Sequence, residues 1–220
     1  KYKCRNRTIG ILYDCLYLYY QIVFQQIPFL NMYKEYLPCH ILAPYVDRYW
    51  EFKGQTEQGM QIKLSTDGCT DFMFILESTV NYGIIMQPYH SYFIGPMDIG
   101  SALITSSSTI NTFGVRFRPC GLSRFMKTSL SELTNIRLSV NDLDTIFSDS
   151  FAERLFEEQG IQGKINLIER YLKEHLYKSD HTMDAQIAYA VNQINAHEGK
   201  ISISHLMNEV NLCQRHFERK

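Results

Sequence analysis

The sequence predicts an α+β protein, with a β-rich stretch from about residue 45 to 119 and helices after it. Two periodicities and one punctuation pattern carry this reading. Before Pro119, short apolar or aromatic runs alternate with turn residues. After it, apolar residues recur at spacings of 3 and 4. With 220 residues the chain has room for one to two domains and needs no disulfide or metal staple to fold. Its 45% apolar and 20% charged residues exclude a wholly disordered or collagen-like chain. The 22 basic and 23 acidic side chains leave a formal charge of −1. Any nucleic-acid binding must therefore come from a local patch rather than from the overall field.

Residues 1–31 contain no Ala and no Glu but carry Tyr2, Tyr13, Tyr17, Tyr19 and Tyr20, and the first methionine is Met32. The composition favours translated upstream sequence, with Met32 as the natural start. A native N-terminal helix and an export signal are the other two readings. Lys1, Lys3, Arg5 and Arg7 followed by the apolar run 9–24 suit a signal, but Asp14 interrupts the run and no small-x-small cleavage site follows. Asp14 and Gln21 also argue against a membrane-spanning helix. Peptides from before Met32 in the natural protein would exclude the first reading.

The expected strands are 45–52, 61–64, 71–76, 89–94, 102–104 and 112–117. Gly54, Asp67-Gly68, Asn81, Gly83, Pro88, Gly95-Pro96, Gly100 and the serines 106–108 mark the breaks. Several short strands between frequent turns suit a β-sandwich or small barrel. In the last run Phe113, Val115 and Phe117 share one face and Arg116 and Arg118 the other, the pattern of a half-buried strand. Residues 121–128 suit a short helix carrying Leu122, Phe125 and Met126. Ile165, Ile168, Leu172 and Leu176 place an amphipathic helix over 165–177, and the polar stretch 177–183 is the best linker.

From Asp184 three helical pieces follow closely. The first covers 184–196, with Ile187, Val191 and Ile194 on one face. The second covers 203–210, with Ser202 as its cap and Leu206, Met207 and Val210 as its apolar face. Asn211 suits the left-handed turn, Leu212 the gap between helices, and Cys213 the start of a third helix over 214–220, with Phe217 inward. Two helices joined by so short a turn suit a helix-turn-helix, in which the second helix enters the major groove of DNA. Arg215, Glu218 and Arg219 stand at i, i+3 and i+4 and share a face. Arg can grip guanine O6 and N7, and Glu can accept from cytosine N4. These three are the candidates for base edges, with Gln214 and Lys220 for phosphates. The plainer alternative is a solvated basic helix end, favoured by the helix dipole.

The segment ISISHLMNEVNLCQRHFERK (201–220) resembles the first helix-turn-helix of AraC-type transcription regulators. Ser202, Leu206, Leu212, Arg215 and Arg219 match the family pattern. Asn211 replaces the turn glycine, Cys213 the capping serine, Phe217 a leucine and Met207 a small residue. The family carries two such motifs, so the resemblance implies that 184–220 is the first part of a truncated domain, without the connecting helix and second motif. Residues 32–145 are similar to a sensor-like domain that precedes such modules, through YLPCHILAPYVDRYW (36–50), DGCTDFMFI (67–75), Gly95, FGVRFRPCG (113–121) and SELT (131–134). The implied fold is a cupin-like β-barrel, then a helical dimerisation or connecting region over 146–178. The implied partners are double-stranded DNA, a second copy of the chain, a small-molecule effector of unknown class and RNA polymerase, with a cytoplasmic location and no membrane, cofactor or catalysis.

Two other functions remain open. One is a non-catalytic barrel-type binding protein with a structural helical tail; the other is a cupin-fold enzyme. Against the enzyme, the barrel region offers only His40 and His90 as imidazoles, with no His-x-His. The stretch at Gly121 lacks the closing glycine of a nucleophile elbow, and 160–165 lacks the spacing and hydroxyl of a phosphate loop. Cys213 and His216 form a single C-x-x-H without a second pair. Cys4, Cys15, Cys39, Cys69, Cys120 and Cys213 are scattered and read as thiols in a reducing compartment. Asp67-Gly68 reads as a tight turn, Arg116 as solvated or salt-bridged, and Trp50 as core.

Overall fold

A computed structural model describes residues 32–64, 66–126, 128–143, 146–178, 180 and 182–219. The extension 1–31 and Lys220 lie outside the described residues. The described chain up to Met183 forms one compact unit, and the chain from Asp184 forms another.

The first unit holds the strands β1 (Tyr33–Tyr36), β2 (Val46–Gln55), β3 (Gln61–Leu64), β4 (Thr70–Glu77), β5 (Val80–Asn81), β6 (Ile85–Met86), β7 (Ser91–Ile94), β8 (Ser101–Thr105), β9 (Thr109–Phe117) and β10 (Arg137–Ser139). They form two antiparallel sheets, in the orders β1-β2-β9-β4-β7-β10 and β3-β8-β5-β6. The expected cupin-like barrel is not closed. Among the described residues no ladder joins β1 to β10 or β3 to β6, so neither sheet closes on itself. All six expected strands are present with small shifts of boundary. The helix expected over 121–128 is reduced to a 3-10 turn, Gly121–Arg124.

Alternation along the strands decides the packing. Tyr49, Phe72, Phe74, Phe93, Phe113, Val115 and Phe117 present one face of the larger sheet to the main core. Two helices complete that core: α1 (Asp149–Glu157), inside the helical region that the resemblance implies over 146–178, and α2 (Gly160–Lys178), longer than the helix expected over 165–177. Phe151, Leu155, Ile165, Ile168 and Leu172 come from these helices. Phe147 precedes α1 and joins the layers. Its ring centroid lies 4.8 Å from Phe72, 5.9 Å from Phe74 and 4.8 Å from Phe151.

The opposite face of β9 corrects a second expectation. Ile110, Thr112 and Gly114 are buried there, so the strand is covered on both faces rather than half-buried. Gly114 is required by its neighbour. A Cβ on it would lie 2.2 Å from the Trp50 ring, directly across the β2–β9 ladder.

The second unit contains α3 (Ala185–Ala196), α4 (Ile203–Glu209) and α5 (Gln214–Arg219). Tyr177 and Lys178 belong to α2, so the linker expected over 177–183 is shorter at its front.

Candidate nucleic-acid interface

Local chemistry defines the ends of these helices. Asp184 Oδ1 accepts from the backbone N–H groups of Gln186 at 3.0 Å and Ile187 at 3.2 Å, which starts α3. Ser202 Oγ accepts from His205 N–H at 3.1 Å, which starts α4. After α4, Asn211 takes φ 54°, the left-handed conformation expected for the turn. The backbone N–H of Leu212 then bonds to Met207 O at 3.0 Å, closing α4. Ser202→Ala should lower the stability of the three-helix unit by about 1 kcal/mol. Thermal unfolding followed by circular dichroism would show this as a lower midpoint, and an unchanged midpoint would contradict the cap.

Ala190, Leu206 and Val210 form the buried centre of the unit, with Ile194, Ile201, Leu212 and Phe217 packed against them. Leu212 plugs the gap between helices and Phe217 points inward, as the spacing predicts. The inner face of α3 differs. Only Ala190 is buried; Ile187, Val191 and Ile194 are all half-buried, and of these Ile194 packs against the cluster. Met207, expected on the apolar face of α4, stays outside the buried trio and is half-buried. Gln186 Nε2 donates to Val210 O at 2.7 Å, tying the start of α3 to the end of α4. Spacing could not reveal that bond, because its partners are 24 residues apart.

The proposed contact residues fall as follows. Gln214 and Arg215 open α5 and are exposed. Glu218 and Arg219 end the same helix. Lys220 lies outside the described residues. The inward position of Phe217 turns the Arg215 side of α5 away from the cluster. His205 and Glu209 add a side-chain pair on α4 at 3.3 Å.

A second polar centre lies within the β unit. Arg116 Nε is 3.2 Å from both Asp71 carboxylate oxygens, and its Nη1 is 3.3 Å from Asp67 Oδ2. Trp50 Nε1 donates to Asp71 Oδ1 at 2.8 Å, so the lone tryptophan is a core residue with a satisfied indole. Asp67 Oδ1 accepts from Cys69 N–H at 3.0 Å and Gly68 takes φ 67°, which makes Asp67-Gly68 a turn, as expected. Arg116 is salt-bridged rather than solvated. Desolvation pulls its pKa down, but the carboxylates of Asp71 and Asp67 outweigh this and hold it well above the usual arginine value. Burial pushes the Asp71 carboxyl up, against the opposing pull of Arg116 and the Trp50 hydrogen bond. Burial also raises the Cys69 thiol well above its ordinary value, so it carries no reactive thiolate at neutral pH. These groups satisfy one another, a structural arrangement.

Among the described residues no group of three His, Cys, Asp or Glu side chains is placed to hold a metal ion. Among them, too, no helix is long and apolar enough to cross a membrane.

Residues 34–139 match the family described as a domain of unknown function, DUF6597. The matched segment begins in β1 and ends with β10, so it coincides with the sheets and leaves out α1 to α5. No curated protein matches the chain. Among solved structures the chain is similar to a variant of apo ToxT from Vibrio cholerae, at 7% identity and a TM-score of 0.47, covering 78% of this chain and 73% of that one. It is also similar to the AraC-like transcriptional activator CuxR, at 12% identity and a TM-score of 0.36, covering 84% of this chain and 78% of that one.

Proposed function

We propose that this chain is a sequence-specific DNA-binding transcription regulator of the AraC type, with a β unit that senses a ligand or mediates dimerisation. The observation that carries the reading is the α4–Asn211–α5 arrangement. Phe217 anchors α5 in the small core, while Gln214 and Arg215 open that helix in exposed positions. A helix held from behind, with Arg at its start, is what entry into the major groove requires. Arg215, Glu218 and Arg219 are assigned to base edges and Gln214 and Lys220 to phosphates. DNA is the partner, and a homodimer bound to paired half-sites would supply contacts that one short helix cannot. An effector acts by binding one arrangement of such a dimer better than the other. RNA polymerase is the further partner of a regulator that activates, and the cytoplasm is where all these partners meet.

Arg215→Ala tests this reading. Duplexes selected by the chain from a random-sequence pool at low salt are titrated by fluorescence anisotropy with both proteins. The substitution should cost about 1–3 kcal/mol, roughly tenfold or more in Kd, and relax the preference at one base pair. Equal affinity and equal preference in the two proteins, or no selection at all, would overturn it.

A further inference from the structure

A groove of about 430 Å³ opens at one end of the larger sheet, between its helix-facing side and the turn from α1 to α2. That volume is within the range of small-molecule sites. Asn111 of β9 stands directly across from Lys53 of β2 on one side and from Glu77 of β4 on the other, so the three form one row. A register shift in β4 between Ile75 and Glu77 creates this row. Without the extra residue the apolar Leu76 would oppose Asn111, and no carboxylate would stand there.

The other charged groups of the groove satisfy one another. Lys164 Nζ donates to Leu155 O at 2.8 Å and to Glu158 O at 2.5 Å, and the carboxylates of Glu158 and Glu51 both attract it. Glu51, across from Phe113, also accepts from the Tyr36 hydroxyl. The Glu158 carboxylate lies over the first turns of α2, where a Cβ on Gly163 would come within 2.8 Å of Oε2, so that helix end already has its anion. The row across the sheet differs. Among the described residues no ion pair takes up Lys53 or Glu77, and Asn111 Oδ1 is buried without a donor.

Two unpaired charges of opposite sign select a ligand that carries both. A lone cation would be repelled by Lys53 and a lone anion by Glu77. Opposed residues on neighbouring strands are about 5 Å apart, so Lys53 and Glu77 stand about 10 Å apart across the row. The ammonium and carboxylate of an α-amino acid share one carbon and lie about 3 Å apart. A charge-assisted hydrogen bond of about 2.8 Å at each end extends this to about 9 Å, a match within reach of the flexible lysine stem. The Asn111 amide between them can accept from an ammonium and donate to a carboxylate. Leu76, Ile161, Phe156 and Tyr89 line the rest of the groove. The Tyr89 ring meets Phe156 edge-on at 6.0 Å, and 69% of the residue is exposed. Its φ of 61° is an outlier for a bulky side chain, held by bonds from Tyr89 N–H to Ile75 O at 2.7 Å and from Ile75 N–H to His90 O at 3.0 Å. Strained backbone of this kind gathers where a ligand is bound.

We propose that this groove binds an aromatic α-amino acid, its carboxylate on Lys53, its ammonium on Glu77 and the Asn111 oxygen, and its ring against Tyr89 and Phe156. The proposal names the class of effector for the regulator reading and rests on that reading only for its consequence. Failure of the groove to bind would leave DNA recognition by α5 untouched, and failure of DNA binding would leave the groove untouched.

Isothermal titration of the full chain with three probes that share a phenyl body tests it: L-phenylalanine, phenethylamine, which lacks the carboxylate, and 3-phenylpropionate, which lacks the ammonium. Phenylalanine should bind about tenfold or more tightly than either. Lys53→Gln and Glu77→Gln, both at exposed positions, should each weaken phenylalanine by about fivefold or more. Lys53→Gln should also narrow its advantage over phenethylamine, and Glu77→Gln its advantage over 3-phenylpropionate. A probe of single charge binding as tightly as phenylalanine, or indifference of phenylalanine to either substitution, would overturn the proposal. So would the absence of saturable heat up to about 10 mM phenylalanine, which would mean that Lys53 and Glu77 close on each other across Asn111.

Discussion

Arg116→Leu should destabilise the β unit by about 3 kcal/mol, because it removes a cation that Asp71 and Asp67 share. Breaking a buried ion pair from one side costs roughly 3–5 kcal/mol. The lower end applies because 20% of the Arg116 side chain reaches solvent. Trp50 still donates to Asp71 in the variant, but a single neutral donor does not compensate a desolvated carboxylate. The pH dependence follows from the same geometry. Burial raises the Asp71 pKa in the folded state, and Arg116 is the strongest opposing influence, so its loss raises that pKa further. A carboxyl with a raised folded pKa contributes stability fully below its unfolded value of about 3.9 and loses it as pH climbs through the folded value. The deficit of the variant should therefore shrink as pH falls from 7 towards about 4, measured as urea midpoints of the two proteins side by side. A deficit under about 1 kcal/mol at neutral pH, or one that grows on acidification, would contradict the ion cluster.

Phe147→Ala should cost about 3–5 kcal/mol, comparable with the ion cluster. Phe147 is 1% exposed and contacts rings on both layers: Phe72 and Phe74 on the sheet, and Phe151 and Tyr171 on the helices. Truncation removes about 150–250 Å² of buried aromatic surface and leaves a cavity walled by four other rings, which cannot collapse without moving β4 or α1. The loss should be read by urea unfolding, together with faster hydrogen exchange in α1 and α2 than in the strands. Uniform exchange across helices and strands would show that the helical layer does not depend on this side chain.

Legibility in the sequence tracks the range of the interactions. The faces of β9 were readable because Phe113, Val115 and Phe117 alternate within one segment. α1 was expected only through the resemblance, though local signals mark it too: Phe151, Ala152 and Leu155 share a face, and Ser148 Oγ accepts from Phe151 N–H at 3.3 Å. β5 and β6, with two residues each, are too short to show any period. β10 exists through its pairing with β7, more than forty residues earlier, where Arg137 opposes Ile94. In the candidate interface the order of helices, the turn and Phe217 were legible. The half-burial of Ile187 and the bond from Gln186 to Val210 were not, since neither follows from a helical repeat.

What the sequence alone determined is therefore local. Asp184 and Ser202 start their helices through bonds spanning two or three residues, and Asn211 adopts a conformation that few other side chains tolerate. These choices need only neighbouring atoms, so composition and spacing express them. Only the tertiary structure decided that the sheets stay open, that Arg116 meets an aspartate 45 residues away and that a groove with an orphaned acceptor lies beneath α2. Each of these depends on chain segments brought together by burial of apolar surface, which is non-directional and leaves no periodic trace in the residues it joins.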